Sequence, residues 1–239
     1  MKKLHGAAGF AAMFLVIIAL LISSFQIGIY GDPEYGFYKE EYEKYNVTDS
    51  LDMTIEDVME VTEYMMDYLI GREEVLFHRD ICGWRNPGFS FNEQDRLHME
   101  DVKNLFPGRA KASYGLPYAG SAALCSFLAA TKADMRKQIT RGYFSGALAC
   151  FGVLIVVLLC SFCRGLYRSF YSFFMKFFFT NDLWLFDPVT DYMIRMLPEG
   201  FFYDMVMRIG AWFVGGLVLL FVVMAGWRQR ALWKFWERH

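Results

Sequence analysis

The chain has 239 residues, of which 55% are hydrophobic, 18% aromatic and 21% charged, with a formal net charge of −2. This balance excludes a disordered polymer and a basic nucleic-acid binder. The apolar residues fall in long charge-free runs, which also excludes an ordinary soluble domain.

Four runs lack Lys, Arg, Asp and Glu: residues 4–31, 112–131, 142–163 and 209–227. Each spans roughly the 20 residues that a helix needs to cross a bilayer. Unsatisfied backbone groups are too costly in lipid, so each run is predicted to be a helix. In the second run, Gly115, Pro117 and Gly120 are expected to interrupt the start. Its small residues would let membrane helices approach closely. Lys2 and Lys3 precede the first run, which is longer than the apolar part of a cleaved signal and ends without a small-x-small site. It is expected to be an uncleaved anchor.

Basic residues flank the runs at Lys2 and Lys3, at Lys132, Arg136, Lys137 and Arg141, and at Arg228, Arg230, Lys234 and Arg238. Four crossings put all three groups on one side, which the positive-inside rule makes cytoplasmic. Residues 32–106 carry 19 Asp plus Glu against 7 Lys plus Arg, as an outward segment tolerates. The expected plan is helix 1–31, outward cap 32–111, helix 112–131, cytoplasmic loop 132–141, helix 142–163, outward aromatic segment 164–208, helix 209–227 and cytoplasmic tail 228–239. The fold class is thus an all-α membrane protein of four transmembrane helices with an extracellular, mainly helical cap.

Of the five cysteines only Cys82 lies in an outward segment, so no disulfide framework is indicated. No Cys/His spacing fits zinc and no Gly-rich phosphate loop occurs, so neither metal nor organic cofactor is expected.

In the first outward segment, Ile55, Val58, Met59, Thr62, Met65, Met66 and Leu69 recur at helical spacing. Thr54 with Asp57 forms a capping box, and Gly71 is a stop. This stripe either packs against the rest of the cap or lies on the outer leaflet; its acidic face disfavours anionic lipid. Ser90 with Glu93 suggests a second capping box, for a helix to about Phe106. His98, Asp101, Val102 and Leu105 share one face of it. An imidazole beside a carboxylate can have its tautomer fixed and its proton affinity tuned, but from these residues alone His98 reads as a structural or surface histidine.

In the second outward segment, Tyr167, Phe170, Tyr171, Phe173, Phe174, Phe177, Phe178 and Phe179 form either an interfacial belt or a wall around acyl chains. Asp187 before Pro188 reads as an N-cap of a short helix to about Leu197. Polar groups beside a bundle mouth mark a site, although capping explains Asp187 and anchoring explains Trp184.

Two stretches resemble the signatures of the lipoprotein intramolecular transacylase family of bacterial integral membrane proteins. One is Phe91-Asn92-Glu93 through His98-Met99 with Asp101-Val102-Lys103. The other is Phe178-Phe179-Thr180-Asn181-Asp182-Leu183-Trp184-Leu185 with Asp187-Pro188, Thr190-Asp191, Ile194, Pro198-Glu199 and Phe201-Phe202. The resemblance implies a cap on four helices, with the site at the cap–membrane interface. It implies a diacylated lipoprotein substrate, whose sn-2 acyl chain moves to the amine of its own lipidated cysteine. It implies catalysis by two histidines, the first matching His98. The second should stand six residues before Asn181, where this chain has Met175; His78 is the remaining candidate in the cap. Asp101, Lys103, Phe174, Met175, Asn181, Asp182, Trp184 and Asp187 are the expected substrate-binding residues. Diacylated lipoproteins and membrane lipids are the expected partners, in a bacterial plasma membrane with both termini cytoplasmic. A non-catalytic lipoprotein- or lipid-binding relative, an altered reaction on a related lipid and a plain membrane scaffold remain as alternatives.

Overall fold

The computed structural model of the chain describes residues 1–76, 91–105, 112–132, 134–162, 176 and 181–236. Among these every regular element is a helix and none is a strand. In chain order they are α1 (Lys2–Tyr30), α2 (Gly36–Lys44), α3 (Val47–Leu51), α4 (Ile55–Leu69), α5 (Glu93–Leu105), α6 (Ala112–Ala130), α7 (Met135–Phe162), α8 (Tyr192–Met196) and α9 (Glu199–Trp236). The chain divides into two compact units. One is Met1–Gly28, Ala112–Arg164 and Arg208–His239; the other is Ile29–Lys111 and Gly165–Met207.

The first unit holds the charge-free runs. Ala8 and Met13 of α1, Leu128 of α6, and Ile139, Tyr143 and Ala147 of α7 form one buried cluster. Ile17, Phe213 and Leu217 form another. The Tyr143 hydroxyl donates to the Leu217 carbonyl at 2.9 Å, satisfying a buried polar group between α7 and α9. Large apolar side chains also line the outside: Phe14, Leu21 and Phe25 on α1, and Trp212, Leu219 and Val222 on α9. Among the described residues, Lys2–Tyr30 and Glu199–Gly226 are long and apolar enough to cross a membrane, and Gly115–Ala130 is a shorter apolar helix. Hydrocarbon solvates such an exterior, whereas water would drive it to aggregate.

Several expectations change here. Pro117 sits inside α6 and does not break it. The predicted 132–141 loop is mostly helix, because α7 starts at Met135 and Asp134 Oδ1 accepts from the Lys137 N–H at 3.1 Å, an N-terminal cap. The last helix begins at Glu199, ten residues before its charge-free run, and ends at Trp236. Among the described residues Gly115 meets nothing within 4 Å, so none of them makes a close helix approach there.

Gly120 of the same run does approach α1, a Cβ there lying 3.0 Å from Leu15 Cδ1, but the tightest approach is in another helix pair. A Cβ on Gly142 would strike the Gly9 carbonyl, and one on Gly9 would lie 2.7 Å from the Gln138 carbonyl oxygen. Hence α1 and α7 cross with backbone against backbone. Gly142→Ala is expected to lower thermal stability in detergent by about 1–3 kcal/mol through forced separation of the helices. Gly152→Ala, with nothing among the described residues within 4 Å of its Cβ, should cause no loss.

The second unit is built around α4. Thr54 Oγ1 accepts from the Asp57 N–H at 3.2 Å, and the helix ends where Gly71 takes φ 79°. Both match the sequence pattern. Val58, Thr62, Met65, Met66 and Leu69 are buried, joined by Val61 and Tyr68, while α4 packs on α2 and α5. Packing within the unit therefore accounts for the stripe. Thr62 Oγ1 donates to the Val58 carbonyl and receives the Tyr42 hydroxyl proton, each at 2.8 Å. Phe201 of α9 stacks on Tyr42 with ring centres 5.9 Å apart. Lys44 Nζ and the Tyr45 hydroxyl both donate to Asp204 Oδ2 at 2.5 Å.

Candidate active site

The site begins at the start of α5. Asn92 Oδ1 accepts from the Asp95 N–H at 2.8 Å, and Asp95 Oδ2 accepts from the Asn92 N–H at 3.2 Å. This reciprocal pair is a capping box. It replaces the expected Ser90–Glu93 box, in which Glu93 would be the third helical residue: here Glu93 is the first, and Ser90 lies outside the described residues.

Asp95 is fully buried and holds a second helix start. Its carboxylate accepts from the Tyr192 N–H at 3.2 Å and the Met193 N–H at 3.3 Å, two of the orphan donors of α8. Asn92 Nδ2 donates to Asp191 Oδ1 at 2.6 Å. Burial pushes the Asp95 carboxyl up, and the three N–H bonds oppose it. Burial acts to raise Asp191 too, but bonds from the Asp187 N–H, Asn92 and Thr190 outweigh it and hold that carboxyl low.

Gln94, His98 and Asp101 follow one another by one turn along α5. Gln94 Nε2 donates to the Leu185 carbonyl at 2.8 Å and the Leu183 carbonyl at 3.4 Å. Asp101 Oδ2 accepts from Asn181 Nδ2 at 2.6 Å. Asn181 in turn winds its own loop, accepting the Leu183 N–H on Oδ1 at 3.1 Å and Trp184 Nε1 on its carbonyl at 3.0 Å. His98 stands between these two attachments. Phe186 from the same loop meets its ring edge-on, centres 4.9 Å apart.

Burial lowers the His98 pKa from 6.5 to about 4, and the Asp101 charge opposes the shift. The ring is therefore neutral at pH 7, with a lone pair able to take a proton. The linked effect on stability has a definite sign. Folding favours the neutral ring, so stability is complete above pH 6.5 and is lost as pH falls from 6.5 to about 4, by about 3 kcal/mol in all. Melting curves across that interval should show a steeper acid loss for the native chain than for His98→Gln. Equal slopes would show that the imidazole is not desolvated.

The other expected site residues divide. Asp101, one turn from His98, is bonded to Asn181, and Trp184 joins them through its bond to the Asn181 carbonyl. Asp187 does not cap a helix: its Oδ1 accepts from the Val189 N–H at 2.9 Å within a turn, and α8 starts later, at Asp191. Proline at residue 188 fits that turn as readily as a helix start. Asp182 is exposed, its carbonyl accepting the Leu185 N–H at 3.0 Å. Lys103 reaches the other way, donating to the Glu73 carbonyl at 2.8 Å with its ammonium 3.7 Å from the Tyr68 ring centre. Phe174, Met175 and His78 lie outside the described residues. Among the described residues no group of three His, Cys, Asp or Glu could hold a metal ion.

A model of the family described as "Lipoprotein intramolecular transacylase Lit" matches residues 10–202. The chain belongs to this family. It is a family of membrane-integral acyltransferases, and the matched residues include both α5 and the 181–191 segment. Three solved structures share the fold, each of the membrane integral lipoprotein intramolecular transacylase Lit from Bacillus cereus. A histidine-to-arginine variant is 18% identical at a TM-score of 0.73, covering 98% of this chain and 96% of that one. A histidine-to-alanine variant is 19% identical at 0.71, covering 96% of each chain. A third structure is 19% identical at 0.64, covering 96% of this chain and 100% of that one. At these identities the likeness speaks for the fold alone. No curated protein sequence matches the chain.

Sequence reasoning passed over Asn92, Gln94, Asp95, Phe186 and Asp191 as working parts of the site. Asn92 and Asp191 stood inside the quoted signatures without a role. Their pairing across 99 positions leaves no periodic trace.

Proposed function

We propose that the protein moves the sn-2 acyl chain of a diacylglyceryl-cysteine lipoprotein to the α-amine of the same cysteine, leaving a lyso-form lipoprotein. The work would be done at a bacterial plasma membrane by four crossing helices, with both termini cytoplasmic and the second unit outward. The observation that carries this reading is His98: a neutral, half-buried imidazole one helical turn from a carboxylate that Asn181 holds in place.

The reaction forms an N–C bond at the ester carbonyl and breaks the C–O bond to the glyceryl oxygen. A proton leaves the attacking amine and one must reach the departing oxygen. His98 takes the first and delivers it to the second. Asp101 stabilises the imidazolium between the two events. The low proton affinity of His98 makes it a modest base but a strong acid toward an alkoxide, so a single ring serves both steps if it reaches both atoms. Amine and ester belong to one molecule, and holding them close contributes on the order of 7–11 kcal/mol. Asp182, Trp184 and Asp187, with Phe174 and Met175, are proposed to seat the substrate.

Met175, standing where the resemblance puts a second histidine, favours one other reading: a non-catalytic relative that binds lipoproteins or lipids. Mass spectrometry of a lipoprotein N-terminus, from cells with and without this protein, separates the two. The native chain is expected to yield N-acylated lyso-form product. If product appears only with Met175→His, the chain is a binder.

A further inference from the structure

We propose that Gln94 is a positioning residue for His98, acting through the loop that carries Phe186. Gln94 and Asp101 lie seven positions apart on α5, about 10 Å, with His98 between them on the same face. Both hold the 181–186 loop, but at opposite ends. Asp101 takes the Asn181 side-chain amide, and Gln94 donates to the Leu183 and Leu185 carbonyls. The loop is tied internally by the Asn181 carbonyl to Trp184 and by the Asp182 carbonyl to the Leu185 N–H, at 3.0 Å each. It therefore moves as one piece, and its two attachments fix where Phe186 lies against the imidazole. Removing the Gln94 donor frees the end nearest Phe186 and leaves the Asn181 end in place.

Gln94 touches no reacting atom in this assignment. Its neutral amide suits the task, because it donates to carbonyls without adding charge beside a ring whose neutrality matters. Gln94→Met keeps length and removes the donor. Gln94→Glu keeps shape and sets carboxylate oxygens against carbonyl oxygens.

The test has two readouts on the full-length chain in detergent. The first is the His98 ring-proton resonance, identified by its loss in His98→Ala; it senses the edge-on Phe186 ring whether or not any reaction occurs. Gln94→Met should shift it in the direction that Phe186→Leu shifts it, and should not shift it further in a Phe186→Leu background; Gln94→Glu should shift it in either background, because its charge adds a field of its own. The second is turnover by lipoprotein mass spectrometry, which rests on the acyltransferase reading. There the rate should fall about 10- to 100-fold, as displaced reacting geometry commonly costs. The Gln94→Met loss should again be non-additive with Phe186→Leu. An unmoved His98 resonance in Gln94→Met, or effects of that variant that add to those of Phe186→Leu while tracking a fall in melting temperature, overturns the assignment. A moved resonance in a chain without native turnover upholds the positioning and rejects the acyltransferase reading instead.

Discussion

Replacing His98 with alanine is expected to abolish acyl migration, the largest single effect on function. The ring is asked to serve as base toward the amine and as acid toward the glyceryl oxygen, and each role is worth roughly 100- to 10,000-fold. Losing both from one position leaves only the benefit of holding amine and ester together. His98→Asn keeps a polar side chain of similar reach without a titratable proton and should be equally inactive. The measurement is the masses of lipoprotein N-terminal peptides from cells expressing each variant, with membrane abundance matched. Migration that persists in His98→Ala would falsify the single-imidazole mechanism and move attention to His78.

The largest effect on stability is expected from Asp95→Ala. The carboxylate is fully buried and accepts from the N–H groups of Asn92, Tyr192 and Met193. Truncation leaves all three without that acceptor, at about 1 kcal/mol or more each where water cannot enter, for a loss of about 3 kcal/mol. It also removes one half of the α5 capping box, leaving the Asn92 half, and the side-chain acceptor at the start of α8. Asp95→Asn keeps one acceptor oxygen but turns an N–H donor toward other donors, so it should recover only part of the loss. Thermal melting in detergent reads both. A change of under about 1 kcal/mol for Asp95→Ala would mean that the Asn92 cap alone holds α5.

These two residues show what was legible in the amino-acid order. The apolar runs announced their helices because length and absence of charge suffice for that. The start of α7 and both ends of α9 were misjudged for the same reason: a helix continues into charged residues wherever a cap such as Asp134 or a following turn permits. His98, Asp101 and Asn181 emerged through resemblance, and the helix face shared by His98 and Asp101 came from spacing alone. Asp95 did not emerge. Two capping pairs competed two residues apart, and Asn92–Asp95 prevails because its carboxylate also satisfies a distant helix start. Asp187 failed in the opposite sense: its sequence suits a helix cap, but Asp191 takes that place, with Oδ1 bonded to Asn92. Tertiary partners decided both cases, and local preference cannot register them.

The glycine contact between α1 and α7 imposes an order of events during biosynthesis. Gly142 stands 133 residues after Gly9, so it is translated only after α1 and α6 have both been made. The α1 backbone must therefore wait, with at most α6 beside it, before it meets the helix it approaches most tightly. Damage at that junction would surface late, as a full-length product that inserts normally and then fails to condense.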